Sequence, residues 1–316
     1  MLPGVSLLHS LLFVLVLLAG GQGRAVAPER FEYTEIHMAM PVRIVMYAPD
    51  SARARAAAKS AYQRIATLEA TMSDYRAQSE LRRLQARPGR PVPVSADLFD
   101  VLQDAVNMAA LTDGAFDPTA GAFVALWRDA RRSRTLPTST ALDAARAHTG
   151  WTRIAFDHTA NTIRLNGPVQ LDLGAIAKGY ILGEASAELR RFHITRMMIE
   201  AGGDIVVGEA PPDLQGWRIE VPGASASFAR HAASLTNAAL ATSGPDRQHV
   251  EINGVRYSHV IDPRTGMALT RSTTAWVIAR DAATADALAT ALTVMHQQER
   301  DQMRVRFPDV HIEVRE

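Results

Sequence analysis

The chain of 316 residues contains no cysteine. This absence excludes disulfides, thiolate metal sites, a cysteine nucleophile and lipid attachment through an N-terminal cysteine. The chain also lacks an excess of charge of either sign, because it has 34 lysines and arginines and 33 aspartates and glutamates, which leaves a formal net charge of +1. Such a balance provides no overall basic field for non-specific nucleic-acid binding, and no nucleic-acid partner is expected. Any site for a polyanion must therefore be local.

Two widespread nucleotide-binding motifs are missing as well. No segment has the Gly-Lys-Ser/Thr ending of a Walker loop, and none has a Rossmann glycine fingerprint. The chain does have a hydrophobic content of 47%, and it is long enough for one large domain or two smaller ones with a sizeable core. A globular enzyme is the default expectation for this composition.

The N-terminal segment is predicted to be a targeting element. Residues 7–18 are apolar except for His9 and Ser10, and small residues follow. A run of this length is short for a membrane span and is typical of the apolar region of a secretory signal. Residues 1–27 are therefore predicted to be a signal peptide or, alternatively, an uncleaved N-terminal anchor, and residues 28–316 to form the functional domain. We expect export to the periplasm, free or held at the inner membrane, and no lipoprotein because there is no cysteine.

Strand and helix patterns alternate through the rest of the chain. Val42 to Tyr47 has the pattern of a strand, and Asp50 and Ser95 are placed to cap two helices. Short strands, a helix from Ala175 towards Arg191 and a hairpin at Asn253-Gly254 follow. The patterns predict an α+β fold with a mixed or mostly antiparallel sheet flanked by helices.

Further expectations concern the connections and the C-terminal half. We expect a polar connector around residues 131–150, a turn at Asn166-Gly167 among short strands, and a mobile surface loop at residues 222–235. Trp217 to Val221 is expected to be a strand. A helix is expected from about Thr284 to Met295, ahead of a final strand.

The predicted helix near Thr284 carries a candidate metal site. Asp286, Thr290 and Thr293 fall at i, i+4 and i+7, so a carboxylate and hydroxyls come roughly 5 to 6 Å apart between Cβ atoms. Such oxygen ligands suit Mg²⁺, which completes its coordination from substrate phosphates and water. An Asp that merely favours the helix N-terminus, with solvated threonines, explains the same spacing. Spacing alone favours that second interpretation. The opposite, apolar stripe consists of Leu288, Ala291, Leu292 and Met295.

Three glycine- and aspartate-containing turns are candidates for ligand contacts. In LDLGAIAKGY, a strand ends at Asp172 and leads into a helix with Lys178, where backbone N–H groups and the ammonium could meet a phosphate. In TDGAFDPT, Phe116 and Asp117 on a rigid turn could clamp a planar heterocycle. In HVIDPRTG, His259 could act as a general base or phosphate ligand. Ordinary strand-helix connections, a loop after a helix and a structural histidine explain the same residues equally simply.

Eight segments, taken in order, resemble the ApbE family, the FAD:protein FMN transferases. The resemblance extends from about residue 35 to the C-terminal region and departs from the family pattern at Ala39 and Met40, where the family has Gly-Thr, and in the absence of the lipobox cysteine of many exported members. One such motif would be weak, but eight collinear ones are specific. They are HMAMPVRI (37–44), MSDYRAQSELRRLQ (72–85), TDGAFDPT (112–119), LDLGAIAKGY (171–180), EAGGDIVVG (200–208), ATSGPDRQ (241–248), SHVIDPRTG (258–266) and ADALAT (285–290).

The resemblance implies a two-lobed, T-fold-like architecture with FAD bound in the cleft between the lobes. It also implies a Mg²⁺ ion held by the Ala175 carbonyl, Asp286, Thr290 and pyrophosphate oxygens. His259 or Asp262 would assist by accepting a proton or positioning the phosphate. The FAD contacts implied by matching positions are Met38, Tyr75, Ala115, Phe116, Asp117, Asp172, Lys178 and Val260.

The family reaction attaches FMN, taken from FAD, to a Thr or Ser hydroxyl of a target protein through a phosphoester and releases AMP. The implied acceptors are exported flavoproteins with a Ser/Thr flavinylation motif, such as subunits of the sodium-translocating NADH:quinone reductase or Rnf complexes. Two alternatives use the same cleft. Water in place of the protein hydroxyl would give an FAD pyrophosphatase that yields FMN and AMP, and a cleft without a metal would give a periplasmic FAD-binding protein.

Overall fold

The computed structural model describes residues 27–244 and 249–316. The predicted signal or anchor lies outside these ranges, apart from its last residue, as does the end of the ATSGPDRQ segment. Within the described ranges, no helix has the length and apolar character needed to span a bilayer.

In these ranges the strands, in chain order, are β1 (Glu29–His37), β2 (Met40–Ala48), β3 (Pro91–Pro93), β4 (Ile154–Asp157), β5 (Thr162–Leu165), β6 (Met197–Ala201), β7 (Asp204–Val207), β8 (Ala238–Ser243), β9 (His249–Ile252), β10 (Val255–Ser258), β11 (Ile261–Asp262), β12 (Met267–Ala268), β13 (Thr274–Ala279) and β14 (His311–Arg315). The α-helices are α1 (Ser51–Met72), α2 (Glu80–Gln85), α3 (Ala96–Leu111), α4 (Gly121–Ser133), α5 (Ser139–Arg146), α6 (Ala177–Arg191), α7 (Ala226–Ala232), α8 (Ala282–Val294) and α9 (Gln297–Arg306).

The large sheet has the strand order β1-β2-β6-β7-β8-β13-β14, and every neighbouring pair in it is antiparallel. Sheets of this kind bury one face and join sequential strands by tight turns. At the turn between β1 and β2, Met38 and Ala39 both adopt positive φ angles, of 50° and 59°. The predicted α+β fold with a mostly antiparallel sheet is therefore confirmed.

Helices α1, α6 and α8 pack on one face of the sheet and enclose the main core. The predicted caps are present, because the Asp50 side chain accepts from the Arg53 N–H at 2.8 Å and the Ser95 hydroxyl accepts from the Leu98 N–H at 3.3 Å. Helix α8 is buried almost all round, so the expected solvated face does not exist. Its close approach to α6 requires glycine at Gly179, where an added Cβ would lie 2.1 Å from the Ala282 carbonyl oxygen.

Two smaller clusters complete the structure. On the other face of the sheet, Phe228 of α7 packs together with Trp217 and Trp276. Beside the main core, α4 and α5 pack against the β9–β10 hairpin through Phe123, Trp127 and their neighbours. We call this last cluster, with the β11–β12 ribbon, the small lobe; its Trp127 indole N–H donates to the Gly266 carbonyl at 2.8 Å.

Several sequence-based expectations are wrong. Trp217 to Val221 is not a strand, because it pairs only through an isolated bridge between Trp217 and Leu235. The expected connector at 131–150 contains α5, capped by Thr138, and the expected loop at 222–235 contains α7, capped by Ser225. The Asn166-Gly167 pair follows β5 instead of joining two strands. The helix expected from Ala175 begins two residues later, as α6.

Candidate active site

A cleft lies between the main core and the small lobe. Its lining includes the following residues singled out in the sequence: Tyr75, Ala115, Phe116, Asp117, Asp172, Ala175, His259, Val260 and Thr290. They come from segments up to about two hundred residues apart in the chain, and the fold brings them to one place.

The TDGAFDPT loop and the turn after Leu171 form one wall of this cleft. They are joined where the Asp172 N–H donates to the Pro118 carbonyl at 2.8 Å. The Asp117 carboxylate accepts from the Thr119 hydroxyl at 2.6 Å and from its N–H at 2.8 Å, which fixes the turn. Phe116 is buried and belongs to the main core, so it lines the cleft from inside.

Asp172 is the acidic group of this wall. Its Oδ1 accepts from the Gly174 N–H at 2.8 Å, and its Oδ2 lies 3.3 Å from Nη2 of Arg128. Burial raises the pKa of Asp172, and the nearby Asp74 adds to the rise, while the Gly174 N–H and Arg128 oppose it. The carboxylate thus depends on Arg128 and one backbone N–H to remain ionised in a poorly hydrated position.

Lys178 lies between two buried carboxylates and is not part of the lining. Its Nζ is 2.5 Å from Oδ2 of Asp204 and 3.7 Å from Oδ1 of Asp286. Burial, followed by the charge of Asp286, raises the pKa of Asp204 to about 7, although Lys178 opposes the rise. The sequence did not single out Asp204 as a site residue, although its segment is one of the eight that resemble the family. The signal was an acidic residue at the start of an otherwise apolar strand, β7.

Of the three predicted metal ligands, two line the cleft, and Asp286 is not among its lining residues in the described part of the chain. Ala175 and Thr290 line the cleft, and Asp286 is buried one turn before Thr290. The Gly179 N–H donates to Asp286 Oδ2 at 2.9 Å, whereas Oδ1 has its nearest ammonium at 3.7 Å, beyond hydrogen-bonding distance. Among the described residues no group of three or more His, Asp or Glu side chains could hold a metal. A donor set of one carboxylate, one hydroxyl and one carbonyl fits Mg²⁺ only with substrate oxygens completing the shell.

Besides Lys178 and Asp286, two further predicted residues do not line the cleft. Asp262 is not among the residues found to line the cleft in the described part of the chain; its carboxylate accepts from Arg264 N at 2.9 Å and Nε at 3.0 Å. Met38 is half-buried at the β1–β2 turn and packs against the main core. The structure therefore places His259 on the cleft, engages Asp262 in the turn of its own loop, and leaves Met38 outside the lining.

Two arginines of α4, not singled out in the sequence, also line the cleft. The guanidinium carbon of Arg128 lies 4.4 Å from the centroid of the exposed Tyr75 ring, and its Nη1 is 2.5 Å from Asp74 Oδ2. Arg131 follows one turn later and is half-buried; burial, then the charge of Arg128, lowers its pKa. The sequence signal was weak, because arginines spaced by three on a helix most often lie on a solvated face.

The antiparallel sheet, its helical layer and the cleft define an α+β enzyme with acidic, basic and aromatic groups facing one ligand space. The model of the ApbE family matches residues 38–312 of the chain. A FAD:protein FMN transferase of Vibrio cholerae is 36% identical over 234 residues, which cover 72% of this chain and 70% of the relative. A FAD:protein FMN transferase of Chlamydia trachomatis is 31% identical over 283 residues, covering 86% and 87%.

Solved structures agree with the sequence comparisons. The ApbE protein of Thermotoga maritima has a TM-score of 0.78 at 29% identity, covering 90% of this chain and 94% of that one. The flavin transferase ApbE of Vibrio cholerae has a TM-score of 0.77 at 28% identity, covering 90% and 93%. The chain belongs to the ApbE family and is a transferase, so the resemblance seen in the sequence is confirmed.

Proposed function

We propose that this protein transfers the FMN moiety of FAD to a Thr or Ser hydroxyl of an acceptor protein, in a Mg²⁺-dependent reaction that releases AMP. The observation that carries the proposal is that Ala175 and Thr290 line the same cleft as Phe116 and His259, and that the buried Asp286 lies one helical turn before Thr290. The names of the relatives support flavin transfer. The donor set supports a divalent cation that binds together with a phosphorylated ligand.

Different residues of the cleft are proposed to contact different parts of FAD. Tyr75, with Arg128 stacked on it, provides a flat surface for a ring system of FAD, and the buried Phe116 adds apolar lining. Asp286, oriented by the Gly179 N–H, and Thr290 present oxygens beside the pyrophosphate. Mg²⁺ bound there supplies charge neutralisation at the pyrophosphate. The protein's own contribution is to fix these groups before the substrate arrives.

In the proposed reaction, the acceptor hydroxyl oxygen forms a bond to the phosphorus on the FMN side. The bond from that phosphorus to the bridging oxygen breaks, and AMP leaves with the bridging oxygen. His259 lines the cleft and is the proposed acceptor of the hydroxyl proton. Asp262 is proposed to act through the loop: with Arg264 it shapes the turn that carries His259.

We further propose that the enzyme is exported and acts at the periplasmic side of the inner membrane, on flavoproteins that present a Ser/Thr flavinylation motif. Subunits of sodium-translocating NADH:quinone reductase or Rnf complexes are the proposed acceptors. The apolar N-terminal run supports export, as a cleaved signal or an uncleaved anchor.

The test is incubation of the protein with FAD, Mg²⁺ and an acceptor domain of one of these subunits, followed by in-gel flavin fluorescence under denaturing conditions. We expect a fluorescent acceptor band that EDTA abolishes. His259→Ala should lose the band while retaining FAD binding, and Asp262→Ala should lose less. Free FMN and AMP with no labelled acceptor would identify a hydrolase, and unreacted bound FAD a carrier.

A further inference from the structure

A second groove adjoins the FAD cleft at the C-terminal end of α4. It is lined by Arg131, Arg134, His249 and Glu251, together with backbone near the tip of the β9–β10 hairpin at Asn253. Arg131 lines both spaces, so the groove continues from the mouth of the cleft. Arg134 lines only the groove, and neither arginine is among the FAD or metal contacts predicted from the sequence.

The arginines of this groove lack partners that their neighbours have. Arg128 is engaged by Asp74 and Asp172, and Arg132 forms an ion pair with Asp129. Within the described residues, neither Arg131 nor Arg134 makes an ion pair, and the Nη1 atom of Arg131 is buried with no hydrogen-bond acceptor. A buried donor without an acceptor costs free energy that a bound acceptor recovers. The groove therefore has the chemistry of an anion-binding site.

Arg134 is exposed and directly follows α4. Its backbone has the left-handed conformation, with φ of 55°, and this turns the chain away from the helix axis. Among the residues that the structure describes, Glu251 supplies the acidic side chain of this groove. Within that part of the chain, two guanidinium groups and His249 line the groove together with one carboxylate. An excess of positive charge at the rim of a site steers and orients a partner of opposite charge.

We infer that this groove docks an acidic segment of the acceptor polypeptide, next to the hydroxyl that receives FMN. The inference rests on the proposed function, which requires a polypeptide to reach the cleft. FAD itself fits the groove less well. Its charge is confined to the pyrophosphate, which the proposed function places beside Ala175 and Thr290. Neither of these residues lines the groove, and Arg134 does not line the cleft. The partner class is therefore a peptide segment with Asp or Glu residues near its labelled Thr or Ser.

The test compares Arg134→Glu, Arg131→Ala and the control Arg132→Glu, which changes an exposed arginine of the same helix that lies outside the groove. Binding of a fluorescently labelled acceptor domain is measured by anisotropy without FAD, and the KM values for acceptor and FAD are measured separately. We expect Arg134→Glu to weaken acceptor binding about threefold and Arg131→Ala about tenfold. Arg132→Glu should match the wild type, and Arg134→Glu should leave the KM for FAD unchanged.

A second experiment reverses the charges on both partners and tests whether binding is restored. An acceptor whose carboxylates next to the labelled hydroxyl are replaced by lysine should bind the wild type poorly and Arg134→Glu better. Equal binding by wild type, Arg134→Glu and Arg132→Glu, or no restoration by the exchange, would overturn the inference. So would an effect of Arg131→Ala confined to the KM for FAD. Failure of the proposed function is a separate result: the wild type would then bind the acceptor but leave no flavin on it.

Discussion

The ammonium nitrogen of Lys178 lies 2.5 Å from Oδ2 of Asp204, a carboxylate that is only 3% exposed. The same ammonium is 3.7 Å from Asp286, so one cation is shared by two buried acidic groups. Breaking such an arrangement by removing one partner leaves an uncompensated buried charge. Lys178 therefore offsets the charge of two buried carboxylates and is not among the lining residues of the ligand cleft.

This arrangement predicts a pH-dependent stability. The pKa of Asp204 rises from 3.8 to about 7 in the folded protein, mainly through burial. The native state then binds more protons than the unfolded chain between these values, so the free energy of unfolding should fall as pH rises from about 4 to about 7. Urea unfolding in EDTA across this range measures the slope. Asp204→Asn should flatten it, and parallel curves for the variant and the wild type would contradict the assignment.

The metal assignment predicts a specific defect in Asp286→Asn. The amide can still accept from the Gly179 N–H but carries no charge, so Mg²⁺ should be held more weakly. The Mg²⁺ concentration for half-maximal flavin transfer should rise at least about tenfold, an effect that even outer-shell changes produce. Affinity for FAD in EDTA should change little. Asp281→Asn, which removes a charge from the cap of the same helix, is the matched control, and equal Mg²⁺ dependence in both variants would refute the site.

Arg128→Gln should move the pH dependence of FAD binding. Arg128 is one of the groups that lower the pKa of Asp172 against the effect of burial, so its loss should raise that pKa further. On acidification, the carboxylate that holds the Gly174 N–H would be neutralised at a higher pH, and FAD affinity should begin to fall at a higher pH than in the wild type. Equilibrium titrations from neutral to acidic pH test this. The exposed Arg132→Gln is the control, and a uniform loss of affinity without a shift would exclude the coupling.

The contact between α6 and α8 predicts opposite outcomes for two glycines of one helix. A Cβ at Gly179 would lie 2.1 Å from the Ala282 carbonyl oxygen, whereas one at Gly183 would make an ordinary contact of 3.8 Å with the Ala282 Cβ. Gly179→Ala should lower the free energy of unfolding by about 3 kcal/mol through overpacking. Gly183→Ala should raise it by about 0.5 to 1 kcal/mol, because alanine loses less conformational entropy in a helix. Equal denaturation midpoints would mean that the helices do not approach this closely.

Local signals in the sequence were sufficient for much of the fold. The caps at Asp50 and Ser95 and the hairpin at Asn253-Gly254 were predictable, since each depends on residues close together in the chain. The shorter helices α5 and α7 were not, because a few turns of small and polar residues carry little periodic signal. Trp217 to Val221 has strand-forming residues, yet packing beneath α7 leaves it with one bridge.

The site was predictable mainly where the resemblance supplied an ordered motif. Asp286 and Thr290 could be paired from helical spacing, but spacing could not show that α8 is buried. The roles of Arg128 and Arg131 depend on the packing of α4 beside Tyr75, which lies more than fifty residues earlier in the chain. The role of Asp204 depends on the position of Lys178. For Asp262, the resemblance suggested a role in catalysis, and the structure adds what sequence could not show, a carboxylate engaged by Arg264 two positions later.

The most direct test of the account is the balance between AMP released and flavin bound. The protein is incubated with FAD and Mg²⁺, with and without an acceptor domain, and AMP is quantified by chromatography while the acceptor is weighed by intact mass spectrometry. We predict AMP and flavin-labelled acceptor in equal amounts, and almost no AMP without acceptor. AMP release that is independent of the acceptor, with the acceptor mass unchanged, would contradict flavin transfer as the function of this cleft.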